Sequence, residues 1–218
     1  VRIPDGIDNE TAAAVFLKGL TAEYLLHRIH RVVPGEVVLV HAAAGGLGTL
    51  AAGWARSLGA TVIGTVSTDE KARTARDHGC HHVVVTREYN FADAVMRASG
   101  GRGADLIVDG LGERGVRDNL ASLALFGHWV SVGQASGALP PLASDALVHR
   151  SATFSQPVVF HYTADPARLA EMAGRLWQAV QSGIVRPEIG GRFELGSAAE
   201  AHRLLESRAS RGALLLVP

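Results

Sequence analysis

A single cysteine, Cys80, occurs in the 218 residues, so no internal disulfide can form and the chain fits a reducing, cytoplasmic compartment. No apolar run approaches the ~20 residues needed to cross a bilayer, and no signal-peptide pattern is visible, so no membrane partner is expected. Net charge is also lacking. The 21 Lys and Arg balance 21 Asp and Glu, which removes the basic surface that nucleic acid or an anionic membrane requires. Metal-ligand clusters are missing as well. Catalytic zinc needs three converging protein ligands, and the close histidine pairs, His27/His30 and His81/His82, supply two each. His27 and His30 are expected on one helix face as surface or packed side chains, and His81 and His82 alternate sides if they lie in a strand. What is present is a globular composition, 47% hydrophobic and 19% charged, with ample material for a core. There is no internal repeat, low-complexity tract or charge block.

The most informative stretch is Val37-Val38-Leu39-Val40-His41-Ala42-Ala43-Ala44-Gly45-Gly46-Leu47-Gly48. An apolar, β-branched run ends in small residues, and Leu47, Leu50, Ala51, Trp54 and Leu58 then repeat at helical spacing. This reads as a buried strand feeding a tight turn that opens a helix. Unpaired N–H groups at such a helix start attract phosphate. Gly45 allows close approach of the backbone to a ligand, and Gly48 allows the helix to pack close to the strand. The first glycine of the usual G-x-G-x-x-G spacing is replaced by Ala43, so the surrounding context has to carry the motif. It does: Gly59-Ala60 ends the helix, and Thr61–Val66 reads as the next strand.

Strand and helix patterns alternate from there, which predicts an α/β fold with a doubly wound parallel sheet covered on both faces. Ser67-Thr68-Asp69-Glu70 reads as a capping box with Ser67 at the N-cap, and Gly79 closes that helix. His82–Val85 is a third strand, Phe91–Ser99 a helix, Ala104–Val108 a fourth strand. Val116, Leu120, Leu123 and Ala124 share a face of the next helix, His128–Val132 is a fifth strand ending at Gly133, and Ala152–Phe154 starts a sixth. Pro166 opens a long helix through Gln181. Ser197-Ala198-Ala199-Glu200 reads as a second capping box, and Ala213–Val217 as a terminal strand that pairs outside the nucleotide-domain sheet. A helix over about 9–29 precedes the first strand. The expected divisions are 1–20 as a linker helix and the end of another domain, 21–157 as the dinucleotide-binding unit, and 158–218 as a return to the other domain. Asp109 lacks any strand–G-x-S-x-G–helix partner and is expected to shape the turn after the fourth strand rather than serve a nucleophile.

Phe16-Leu17-Lys18-Gly19-Leu20-Thr21-Ala22, His41–Gly48, Gly64-Thr65-Val66-Ser67, Ser131-Val132-Gly133 and Leu205-Glu206-Ser207-Arg208-Ala209 occur in order. Together they resemble the ζ-crystallin-like quinone oxidoreductases of the medium-chain dehydrogenase/reductase superfamily, over nearly the whole chain. The resemblance implies a Rossmann domain plus a C-terminal return into a chaperonin-10-like catalytic domain lying before Val1. The isolated chain is then expected to bind cofactor weakly and turn over poorly. No carboxylate stands at 66–68 to repel a 2′-phosphate. The resemblance places Ser67, Lys71 and Arg208 around that phosphate, so NADPH is the expected cofactor. Ser67 read alone is equally a helix cap, and Lys71 a surface residue. Where the family often has a tyrosine, this chain has Thr86, with Arg87 beside it. The remaining contacts implied are Gly45, Gly46, Leu47 and Gly48 at the diphosphate, and Thr21, Tyr24, Val132 and Gly133 toward the nicotinamide; Tyr24 also reads as a packed helix residue. The function implied is zinc-independent NADPH:quinone reduction by a homodimer acting on a small-molecule quinone or enone. An enoyl reductase of α,β-unsaturated carbonyls, as in polyketide-synthase domains, and a nucleotide-binding protein with little turnover are the alternatives. No residue stands out as a proton donor.

Overall fold

A computed structural model describes residues 1–143, 145–207 and 209–218. Six parallel strands, β1 (Val37–Val40), β2 (Thr61–Val66), β3 (His82–Val85), β4 (Ala104–Asp109), β5 (Leu123–Ser131) and β6 (Thr153–Ser155), form one sheet. Their order is β3-β2-β1-β4-β5-β6. The order reverses between β1 and β4, which is where ligands bind in doubly wound folds, beyond the carboxyl ends of the strands. The connecting helices are α2 (Gly46–Ser57), α3 (Asp69–Asp77), α4 (Ala92–Ala98) and α5 (Val116–Ser122); α1 (Asn9–Tyr24) precedes β1.

The four residues of β1 are all buried, as a central parallel strand requires. Val38 and Val40 join a core with Leu50, Trp54, Met172 and Leu176. Val37 and Leu39 point the other way, into a core with Phe91, Val95, Ile107 and Trp129. Alternation along one strand thus serves both faces. α7 (Pro166–Gln181) starts at Asp165, whose carboxylate accepts from the Ala167 N–H, and covers the first face beside α1. A Cβ at Gly19 would collide with Leu176, so α1 and α7 approach closely there.

Most predicted elements are present, and the departures have local causes. The N-cap of α3 is Thr68, not Ser67: Thr68 Oγ1 accepts from the Lys71 N–H at 3.2 Å. The second predicted capping box is not made. Ser197 closes a short 3₁₀ turn (Leu195–Ser197) and gives no side-chain cap to α8 (Ala198–Glu206). Leu123 and Ala124 lie in β5, not in the preceding helix, because Leu123 turns extended (ψ 135°) and pairs with Ala104. α1 runs on into a π-helical turn, Leu25–Ile29, and His30 is extended, so His27 and His30 do not share a helix face. A short helix, α6 (Val159–Thr163), was not anticipated.

The terminal strand β8 (Ala213–Val217) pairs with β7 (Ile189–Glu194), in a separate two-stranded parallel sheet. One bridge joins this unit to the glycine turn: Gly212 pairs with Gly45, and the Gly212 N–H donates to the Ala44 carbonyl at 3.3 Å.

Candidate functional site

The turn after β1 is held from below. The His41 N–H donates to the Val108 carbonyl and the Ala43 N–H to the Thr65 carbonyl, each at 3.1 Å, tying it to both neighbouring strands. Ala42 adopts φ +48°, a conformation costly for a residue with a Cβ. Such a conformation persists only where surrounding bonds impose it; here the Gly45 N–H closes the turn onto the Ala42 carbonyl at 2.8 Å. Gly45 is the N-cap of α2 and brings no capping side chain; its carbonyl accepts from Thr49. Among the described residues no acceptor meets the N–H groups of Gly46, Leu47 and Gly48, and no acid lies in that first turn. Three open donors at the positive end of a three-turn helix fit a diphosphate.

The glycines have distinct reasons. A Cβ at Gly48 would strike the Ala42 carbonyl oxygen and lie 2.7 Å from Ala43 Cα. The close approach is therefore to the turn itself rather than to the body of the strand. A Cβ at Gly46 would lie 2.6 Å from Lys18 Nζ. Lys18 was not singled out from sequence, because 28 positions separate it from Gly46 and nothing local couples them.

At the carboxyl end of β2, Ser67 is exposed and its carbonyl accepts from Arg87 Nε at 3.2 Å. Lys71 is partly buried. Burial holds its ammonium below the ordinary value, with the Arg211 charge acting the same way and Glu70 opposing. Glu70 is itself paired with Arg211 at 2.9 Å. That contact, 141 positions apart in sequence, was invisible from sequence and occupies one of the nearby carboxylates. Thr86 donates its hydroxyl to Asn90 Oδ1 and its N–H to the Val66 carbonyl. Arg208 lies outside the described residues. Ser67, Lys71, Arg87 and Arg211 are thus brought to one end of the sheet, with cationic groups in the majority.

At the other end of the crevice, Val132 follows β5 and donates its N–H to the Asp109 carbonyl at 2.7 Å. Gly133 faces Gly110, where a Cβ would lie 3.3 Å from Gly110 Cα. Thr21 donates its hydroxyl to the Leu17 carbonyl. Tyr24 is buried, stacked on Tyr162 at 4.6 Å, and burial pushes its phenol up to about 12, with Tyr162 adding to the rise. Next to Val132 runs a buried polar network that the sequence did not disclose. Asp109 accepts from the Leu111 N–H, Asn119 Nδ2 and Trp129 Nε1. Asn119 Oδ1 lies 2.7 Å from His41 Nε2, and His41 Nδ1 lies 2.8 Å from Thr65 Oγ1. Asn119 Oδ1 can only accept, so His41 carries its proton on Nε2. Burial lowers the His41 pKa, against the pull of Asp109, and keeps the ring neutral. Asp109 thus shapes the turn as expected and also ties β4 to α5 and β5.

Among the described residues no group of three His, Cys, Asp or Glu could hold a metal ion. His27 packs edge-on against Trp54, His30 bonds Glu36 at 3.2 Å, and His81 Nδ1 accepts from the Val62 N–H. Two polar clefts of about 310 and 320 Å³ share Asp77 and His78; Thr49 and Gly53 of α2 line the first, Glu70 and Arg211 the second, and neither is lined by Val132 or Gly133.

The family described as zinc-binding dehydrogenase matches residues 46–176. A 2-haloacrylate reductase from Burkholderia sp. is 39% identical over 222 residues, spanning 100% of this chain and 67% of the relative. A quinone oxidoreductase from Pseudomonas aeruginosa is 39% identical over 219 residues, with the same coverage. The crystal structure of Escherichia coli quinone oxidoreductase complexed with NADPH superposes with a TM-score of 0.95 at 35% identity, covering 100% of this chain and 68% of that one.

Proposed function

This chain belongs to the zinc-binding dehydrogenase family, within its quinone oxidoreductase branch, and from that premise we propose that it serves zinc-independent reduction of quinones by NADPH. It is an oxidoreductase, and NADPH is its cofactor. The observation that carries the reading is the uncapped start of α2, with three amide donors facing outward beside a glycine turn. These amides bind the diphosphate. Ser67, Lys71 and the neighbouring arginines bind the 2′-phosphate, as charge-assisted donors do. The Glu70–Arg211 pair reduces the local repulsion that a free carboxylate would exert on that phosphate. Val132 and Gly133, held by the Asp109 network, bound the crevice at the carboxyl ends of β4 and β5, where the nicotinamide is placed by the rule for doubly wound sheets. When bound, NADPH supplies the hydride; the chain positions the ring and excludes water.

The likeness to a 2-haloacrylate reductase supports a second reading, in which the acceptor is an activated alkene. In both, the acceptor is electron-poor and gains negative charge at oxygen. The edge of β6 carries no partner strand among the described residues, which supports a homodimer formed by edge pairing. The single, buried and unpaired cysteine fits the cytoplasm. Fluorescence titration of the full-length protein with NADPH and NADH, followed by turnover with 1,4-benzoquinone and an enone before and after chelator treatment, tests the proposal. Tighter binding of NADPH and chelator-resistant quinone reduction are expected. NADH preference or loss of activity with zinc removal would overturn it, and faster enone turnover would favour the second reading.

A further inference from the structure

Lys18 stands in an electrostatically awkward place. Its flanking residues fix it: Gly19 is packed against Leu176, Leu20 is buried, and Phe16 stacks on Trp177 at 5.5 Å. The side chain therefore leaves α1 toward the start of α2 and lies over Gly46, where Cδ, Cε and Nζ occupy the space of a Cβ. That is the positive pole of α2, next to the open amides of Gly46, Leu47 and Gly48. Among the described residues Lys18 has no hydrogen-bond or ion-pair partner, and α2 has no acid in its first turn. Its ammonium is lowered in pKa by burial alone, with no carboxylate acting on it. A half-buried cation facing a helix N-terminus is unfavourable on both counts, desolvation and repulsion. An anion placed between the two relieves both.

We propose that Lys18 is the charged partner of the cofactor diphosphate, closing over it from α1 while the amides of α2 hold it from the opposite side. This rests on the NADPH reading above and extends it to a residue on a helix outside the six-stranded sheet. The contact is with the part of the molecule that NADPH and NADH share. Lys18 therefore sets affinity for both and contributes nothing to the choice between them, unlike residues around Ser67.

The test is calorimetric titration of wild type, K18M and K18R with NADPH, NADH and adenosine 2′-monophosphate, together with the melting temperature of each ligand-free protein. K18M is expected to weaken NADPH and NADH by the same factor, about ten- to a hundred-fold for one charge-assisted contact. Adenosine 2′-monophosphate, which has no diphosphate, is expected to bind K18M and wild type alike. K18R should recover most of the loss. Ligand-free K18M should melt at or above the wild-type temperature, since an unpaired cation has been removed from a repulsive position. Unchanged NADPH affinity in K18M, a loss confined to NADPH, or a parallel loss of adenosine 2′-monophosphate would each overturn the assignment. A wild-type protein that melts cooperatively yet binds neither dinucleotide would overturn the cofactor reading itself.

Discussion

Gly48 and Gly174 both lie inside helices, and the same substitution should act on them in opposite directions. In α2, a methyl group at position 48 meets the Ala42 carbonyl and lies 2.7 Å from Ala43 Cα. Those are backbone atoms of a turn already bonded to β2 and β4, so they cannot rotate away. Overpacking of this kind costs about 1–3 kcal/mol. Replacing a helical glycine by alanine returns about 1 kcal/mol of propensity. The net for G48A is a loss of up to about 2 kcal/mol. Position 174 in α7 has no atom within 4 Å of an added Cβ, so G174A keeps the propensity gain of about 0.5–1 kcal/mol undiminished. At about 2–4 °C per kcal/mol for a chain of this length, the two variants should melt roughly 1–12 °C apart, with G48A the lower and G174A above wild type. Thermal and urea unfolding followed by tryptophan fluorescence would measure this, with NADPH titration in parallel. Affinity should drop in G48A, because shifting the turn moves the amides of α2, and stay level in G174A. A G48A protein as stable as wild type with undiminished NADPH affinity would refute the reasoning.

Acid should weaken the fold through its buried histidines. His41 loses its proton more easily in the folded chain than in the unfolded one, so the unfolded state binds more protons as pH drops below the ordinary value of 6.5, and stability falls from there downward. The slope from His41 alone is at most ~1.4 kcal/mol per pH unit, and His27 and His128, also lowered mainly by burial, act in the same direction. Urea unfolding at pH 7.5, 6.5 and 5.5 should show the decline, with a shallower slope in H41N; a flat profile would contradict the placement of His41. Burial pushes the Cys80 thiol up to about 12, so the native protein should resist iodoacetamide at pH 8 and react once unfolded in urea. Equal labelling rates in the two states would show that the packing around Cys80 is wrong.

The sheet was legible because β1, β2 and β3 are short apolar runs bounded by glycine and polar turns, and because α7 carries Asp165-Pro166 at its start. Local chemistry misled where two neighbours offered the same hydroxyl. Ser67 and Thr68 are both good caps, and only the path of the chain out of β2 selects Thr68. β7 went unseen since Gly190 and Gly191 dilute its pattern, and its pairing with β8 is a tertiary choice. The phosphate-facing turn was readable from adjacent residues. Lys18, Arg211 and the His41–Asn119–Asp109 chain were not, since their partners lie 10 to 141 positions away and no periodicity links them.

Fastening Gly212 to Gly45 couples strand β8 to the glycine turn. A load applied to β8 would pull at the phosphate cradle as well, and its symptom would be poor nucleotide retention in a chain whose six-stranded core is intact. Surface attachment points therefore belong away from β8.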